Sequence, residues 1–350
     1  MRILLTGASG FIGAHVAAEL AREGAQVRAF CRSEPPPEAC VSEWVAGDVR
    51  DLGSLELAAA GCEAVVHTAA SYSYARADRA AMHDVNVEGT RNVLEAAARA
   101  GVRRLLVTSS SATCGPVPGR SATERDRPPA WELKVPYKRS KLLAEELALR
   151  AATDGFEVIC VNPTTVVGPD DRQPTPSGKI IRDLVNGRII GYVPSAGINV
   201  VSVDDVARGH LLALERGRSG ERYILGGENL WLRDAFALAT DAVGRPPPRL
   251  TVPWPAAYGV ALIADACGRL VRREPQLLVL DEVKLARTPL FFSSAKARAE
   301  LGYEPAAAAD ALAAAARWFD ATREPSRWQI RLRWLGRLRP PPLRRPAGHW

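Results

Sequence analysis

MRILLTGASGFIGAHVAAEL, residues 1–20, decides how the chain folds. Within it RILLT, at 2–6, is the short apolar run of a strand buried on both faces, and FIGAHVAAELAREG, at 11–24, has helical spacing and closes on Gly24. Between them lies TGASGFIG, residues 6–13, which places Gly7, Gly10 and Gly13 in the turn from strand to helix. Glycines there let backbone N–H groups come close to a pyrophosphate, and the helix N-terminus adds a partial positive charge. A glycine pattern alone is weak, but one that follows a strand and opens a helix predicts a dinucleotide site.

Working outward, the same period repeats. QVRAFCR (26–32), WVAGD (44–48), AVVHTAA (64–70), RRLLVTSS (103–110) and FEVICVNP (156–163) read as strands. AAMHDVNVEGTRNVLEAAARAG (80–101) and YKRSKLLAEELALRAATDG (137–155) read as long helices. Strands alternating with helices imply right-handed crossovers and a parallel sheet covered on both faces, so the expected fold is α/β and doubly wound. The expected organisation is a dinucleotide-binding domain over 1–164 with a return segment at about 199–225, a smaller substrate domain over 165–198 and 226–323, and a basic Pro-rich tail over 324–350. The apolar segment Trp254–Leu270 carries Asp265 and Arg269 and falls short of the roughly 20 apolar residues of a span, so it reads as a packed helix.

With 350 residues, 47% of them hydrophobic, the chain can bury a full core. Its net charge of +7 sits mostly at the end, where arginines 327, 331, 333, 337, 339, 344 and 345 meet Glu324 alone, leaving about +1 elsewhere. A nucleic-acid binder needs a basic folded face, so no nucleic-acid partner is expected. The tail instead suggests peripheral contact with an anionic membrane. Cysteines 31, 40, 62, 114, 160 and 267 show no CxxC or zinc-like spacing, which implies free thiols, no metal and a reducing compartment. With no targeting segment visible at the start, a cytoplasmic protein is expected, with the tail at the inner membrane surface.

Three places carry chemistry. At the end of the second strand, where an adenosine ribose would lie, stand Arg32 and Ser33 in place of the acid that holds a free 2′-hydroxyl, which favours NADP(H) over NAD(H). Asp48, with Val49 beside it, follows the third strand and is placed for the adenine. Tyr137 and Lys141 are i and i+4 on one helix, so both side chains reach one volume, and an ammonium beside a phenol should lower its pKa by roughly 1 to 3 units. TSSSA, at 108–112, ends the fifth strand at the sheet edge where ligands of open α/β sheets bind.

TGASGFIG, GDVRD, HTAA, NVEGT, the SSSA run, YKRSK and VNPTTVVGP occur in the order that resembles the extended short-chain dehydrogenases/reductases, the NAD-dependent epimerase/dehydratase family. VNPTTVVGPDD, VVSVDDVARGHLLALERG and FFSSAKARAELGY are similar to its hopanoid-associated sugar epimerase branch, and the resemblance spans about residues 1–320. It implies a Rossmann domain, a small-molecule substrate and a homodimer. It makes Ser111 the substrate-orienting hydroxyl, Tyr137 the acid/base, and Lys141 its partner and ribose anchor. Gly7, Gly10, Phe11, Ile12 and Gly13 would line the pyrophosphate, Ala69 and Ala70 the middle of the cofactor, and Pro163 the nicotinamide. Asn162, Thr164 and Thr165 would face the substrate, with Asn86 supporting the site. His67 reads as a packed side chain. The sugar 4,6-dehydratases carry an Asp–Glu pair in the loop where this chain has Ser110 and Ser111, so hydride transfer without dehydration is implied, as a reductase or an epimerase. A redox sensor that binds NADP(H) without turnover is the alternative, and the presence of both Tyr137 and Lys141 argues against it.

Overall fold

The structure, a computed structural model, describes residues 1–72, 78–270 and 280–322. In chain order the strands are β1 (Arg2–Thr6), β2 (Gln26–Cys31), β3 (Glu43–Ala46), β4 (Ala64–His67), β5 (Arg104–Thr108) and β6 (Glu157–Pro163). They continue with β7 (Thr165–Val167), β8 (Gly191–Tyr192), β9 (Gly197–Ser202), β10 (Arg222–Leu225), β11 (Glu228–Trp231) and β12 (Leu250–Thr251). The helices are α1 (Phe11–Arg22), α2 (Leu52–Ala59), α3 (Arg79–His83), α4 (Gly89–Arg99), α5 (Pro136–Arg150) and α6 (Pro176–Val185). After them come α7 (Val203–Arg216), α8 (Leu232–Asp241), α9 (Trp254–Leu270), α10 (Leu280–Leu285), α11 (Ala295–Leu301) and α12 (Ala308–Ala321).

Seven parallel strands form the main sheet in the order β3-β2-β1-β4-β5-β6-β10. Its apolar strands are buried on both sides. One face packs on α1 and α7 through Val16, Leu20, Val206 and Leu211, the other on α2, α4 and α5 through Leu55, Val93, Leu94 and Ala148. The strand order reverses between β1 and β4, and the crevice beyond the carboxyl ends there is the place such sheets offer a ligand.

A second sheet, β11-β9-β7, carries α6, α8 and α12 on its own core of Ile181, Phe236, Leu312 and Phe319. Because β9 pairs with β7 and β11, the return to the main sheet consists of α7 and β10, starting later than residue 199.

Two elements differ from the sequence reading. The long helix expected over 80–101 is α3 and α4 joined by a π-helical turn at Asp84–Glu88, which brings Asn86 to face the site. Helix α2, which was not anticipated, is short and starts where the Asp51 carboxylate accepts a hydrogen bond from Gly53 N at 3.1 Å. Among the described residues no helix is long and apolar enough to cross a membrane, and α9 packs on α10 through Ala257, Ala261 and Val283. The basic tail lies outside the described residues.

Candidate active site

The glycine loop is built to its limit. Gly7 has φ +79°, and a Cβ there would stand 2.7 Å from Ala69 N. A Cβ on Gly13 would stand 2.1 Å from Gly7 O, so only glycine lets α1 start this close to β1. Gly10 caps α1 without any side-chain hydrogen bond. The first N–H groups of the helix, at Phe11, Ile12 and Gly13, therefore face outward as an anion cradle. A dinucleotide's pyrophosphate fits this cradle.

Beneath the loop, β1 and β4 are tied together. His67 lies buried between Thr6 Oγ1 at 2.7 Å and Thr90 Oγ1 at 3.1 Å. Burial, and then the charge of Lys141, holds its pKa down at about 3, which makes it a neutral packed side chain as the sequence suggested. Ala69 and Ala70 follow at the open end of β4. Ser71 is held from both sides by Asn86, whose Oδ1 accepts from Ser71 N at 2.7 Å and whose Nδ2 donates to Ser71 O at 2.9 Å. The same Nδ2 donates to Ser140 Oγ at 3.0 Å, and Ser140 in turn donates to Tyr137 O. Asn86 thus fastens the loop after β4 to the start of α5.

Tyr137 stands in the first turn of α5, with the ring of Tyr72 tilted over it at 4.1 Å between centroids. Tyr72 was not anticipated. Burial pushes the Tyr137 phenol up, and a hydrogen bond with Ser110 pulls the other way. This corrects the expectation that Lys141 lowers it: the Lys141 ammonium points to the end of β5 and donates to Thr108 O at 2.7 Å. Burial brings Lys141 down to about 8, against the charge of Glu145. The hydroxyl that reaches Tyr137 is that of Ser110, whereas Ser111 opens the following 3-10 turn, buried in the same loop.

Two further expectations are corrected. Asn162 is wholly buried, with Nδ2 near Ser110 O (3.1 Å), Thr113 Oγ1 (2.9 Å) and Glu145, so it braces the serine loop from below and does not face the substrate. Thr164 donates to Asn199 Oδ1 at 2.7 Å, linking the two sheets, while Thr165 lies part-exposed on β7. The Asp48 carboxylate is clamped by Arg50, through Nε at 3.0 Å and Nη2 at 2.7 Å, and its pKa falls to about 2 with Arg32 contributing. Arg50 holds it ionised, and Oδ2 keeps a lone pair free to accept. Val49 packs against Gly89 and its carbonyl accepts from Asn92. Arg32 is exposed beside this pair, and Pro163 is buried at the end of β6. Among the described residues no cluster of His, Cys, Asp and Glu is placed to hold a metal, and all six cysteines are free.

A protonated phenol, a serine hydroxyl and a nearby ammonium on the sheet's carboxyl edge form a proton donor and an oxygen-binding site. A nicotinamide cofactor held by its pyrophosphate on the glycine loop would supply or accept the hydride. Tyr137 would then move the proton at the substrate oxygen while Ser110 and Ser111 orient it. Serine in place of an Asp–Glu pair leaves no extra acid and base for eliminating water.

A Synechocystis sp. protein bearing the name dihydroflavonol 4-reductase is 38% identical over 90% of this chain and 93% of its own length. Sterol demethylase protein B of Methylococcus capsulatus is 36% identical over 91% of this chain and 98% of its own. The crystal structure of gox2253 superimposes with a TM-score of 0.79 at 39% identity, covering 91% of this chain and 98% of that one. The model of the NAD dependent epimerase/dehydratase family matches residues 3–226, from β1 through the last strand of the main sheet, and the chain belongs to that family.

Proposed function

We propose that the protein is an NADP(H)-using oxidoreductase that transfers a hydride between nicotinamide and a carbinol or ketone carbon of an apolar, terpenoid-type substrate. The observation that carries the redox reading is the placement of Tyr137 and Lys141 one turn apart on α5, with the Lys141 ammonium on Thr108 O at the start of a serine loop without dehydratase acids. Arg32 and Arg50 at the ends of β2 and β3 support the cofactor preference, since they surround the place of a ribose 2′-phosphate and only Arg50 is paired with Asp48. The names of the sterol and flavonoid relatives favour a polycyclic substrate over a nucleotide sugar. The basic tail favours one drawn from a lipid surface.

The test is NADPH and NADH oxidation against a set of terpenoid and aryl ketones. Tyr137→Phe should bind NADPH as wild type does yet lose turnover by about 10² to 10⁴. Arg32→Asp should reverse a preference for NADPH of roughly ten- to a hundred-fold. NAD retained through purification together with an indifferent Arg32→Asp would overturn the cofactor reading and favour a self-contained epimerase.

A further inference from the structure

Glu145 has no part in the chemistry described so far, yet it is wholly buried on α5. Tyr137, Lys141 and Glu145 follow at i, i+4 and i+8, so all three lie on the side of the helix that faces the end of β5. The Glu145 carboxylate is the meeting point of three elements. Its Oε1 accepts from Arg222 Nη1 of β10 at 2.5 Å, and its Oε2 accepts from Thr113 Oγ1 at 2.9 Å and from Asn162 Nδ2 of β6. Thr113 Oγ1 and Asn162 Nδ2 also lie 2.9 and 3.1 Å from Ser110 O. The serine loop is thus gripped at both ends by one helix, by Lys141 at Thr108 and by Glu145 at Thr113 and Asn162.

We infer that Glu145 is a positioning residue for the reaction: its buried carboxylate fixes the Ser110–Ser111 loop against the helix that carries Tyr137, and supplies the negative charge facing Lys141. The inference rests on the redox reading above only for its turnover arm. The charged group that favours the Lys141 ammonium is Glu145 of its own helix, with the Cys160 thiol of β6 and His67 of β4, both held neutral by burial, facing it as well. Removing the Glu145 charge therefore makes Lys141 lose its proton at lower pH. Arg222 keeps the carbonyls of Glu124 and Asp126 as acceptors, at 2.9 Å each, but its buried charge loses the Glu145 carboxylate, so Glu145→Gln should also be less stable than wild type.

Glu145→Gln and Thr113→Val separate the two parts of the inference, with NADPH as the probe. In the wild type, NADPH affinity measured by fluorescence should weaken as pH rises through about 8. In Glu145→Gln the weakening should begin at lower pH, and Glu145→Asp should restore most of the difference. Thr113→Val keeps every charge, so it should leave that midpoint in place while lowering kcat about 10- to 100-fold through a displaced serine loop. A Glu145→Gln midpoint equal to wild type, with thermal stability alone reduced, would make Glu145 a mere core residue and overturn the inference. So would full turnover in Thr113→Val. Should the glutamine variant not fold, the aspartate variant decides, since it must move the midpoint by less but in the same direction. If the wild type reduces no ketone, the redox reading fails by itself and the NADPH midpoints still decide the role of Glu145.

Discussion

A single methyl group is enough to close the cofactor crevice. Gly13→Ala would drive its Cβ to 2.1 Å from Gly7 O, and neither the loop nor α1 can yield without leaving the sheet. The expected outcome is a folded protein by circular dichroism that no longer binds NADPH in a fluorescence titration; tight binding would show that the loop opens freely. Spacing made this loop legible in the sequence, as it did Tyr137 and Lys141. Orientation was the part that spacing could not supply. Asn162 ends a strand next to Pro163, and which way the pleat turns it depends on a partner, Glu145, 17 residues away. The different directions of Ser110 and Ser111 depend likewise on a 3-10 turn that begins between them.

Among the elements, β5 and α7 share a device with a pH signature. His210 of α7 is buried between Thr108 Oγ1 at 2.8 Å and Val206 O at 2.7 Å, and burial holds it at about 4, as it holds His67 of β4 at about 3. Both values lie below the unfolded pKa of about 6.5, so unfolding takes up protons in acid. Their contribution is complete above about pH 6.5 and is lost as pH falls toward 4 and 3, by at most about 1.4 kcal/mol per pH unit for each group. Urea midpoints should therefore fall steadily below about pH 6.5, and His67→Gln together with His210→Gln should flatten that slope. A slope unchanged in the double variant would assign the acid sensitivity to other groups. Strands and long helices were readable from apolar periodicity. The π-helical turn was not, since DVNVE continues the same pattern and only the pull of Asn86 on Ser71 and Ser140 distinguishes it.

On the scale of the whole molecule, charge and chemistry fall in different stretches of the sequence. The arginines of 327–345 follow a body that is close to neutral, and the site lies among β1, β4, β5 and α5. Ending the chain after Glu324 should leave ketone reduction in solution unchanged and reduce sedimentation with anionic vesicles, each basic residue near such a surface being worth about 1 kcal/mol. Equal sedimentation with and without the tail would remove it from any membrane role. The first six strands of the main sheet were legible because each is a separate apolar run followed by a turn or helix; the seventh strand β10 and the smaller sheet were not, because β10 and β7, β9 and β11 come from short pieces of the interleaved second half. That interleaving has a consequence for inheritance. The chain passes from one sheet to the other after β6, back after β9, and over again after β10, so no single cut releases either half complete. A gene fragment ending at residue 164 would leave the edge of β6 without β10. A recombination joint at any one point between β6 and β11 would therefore take strands of the same sheet from two different parents.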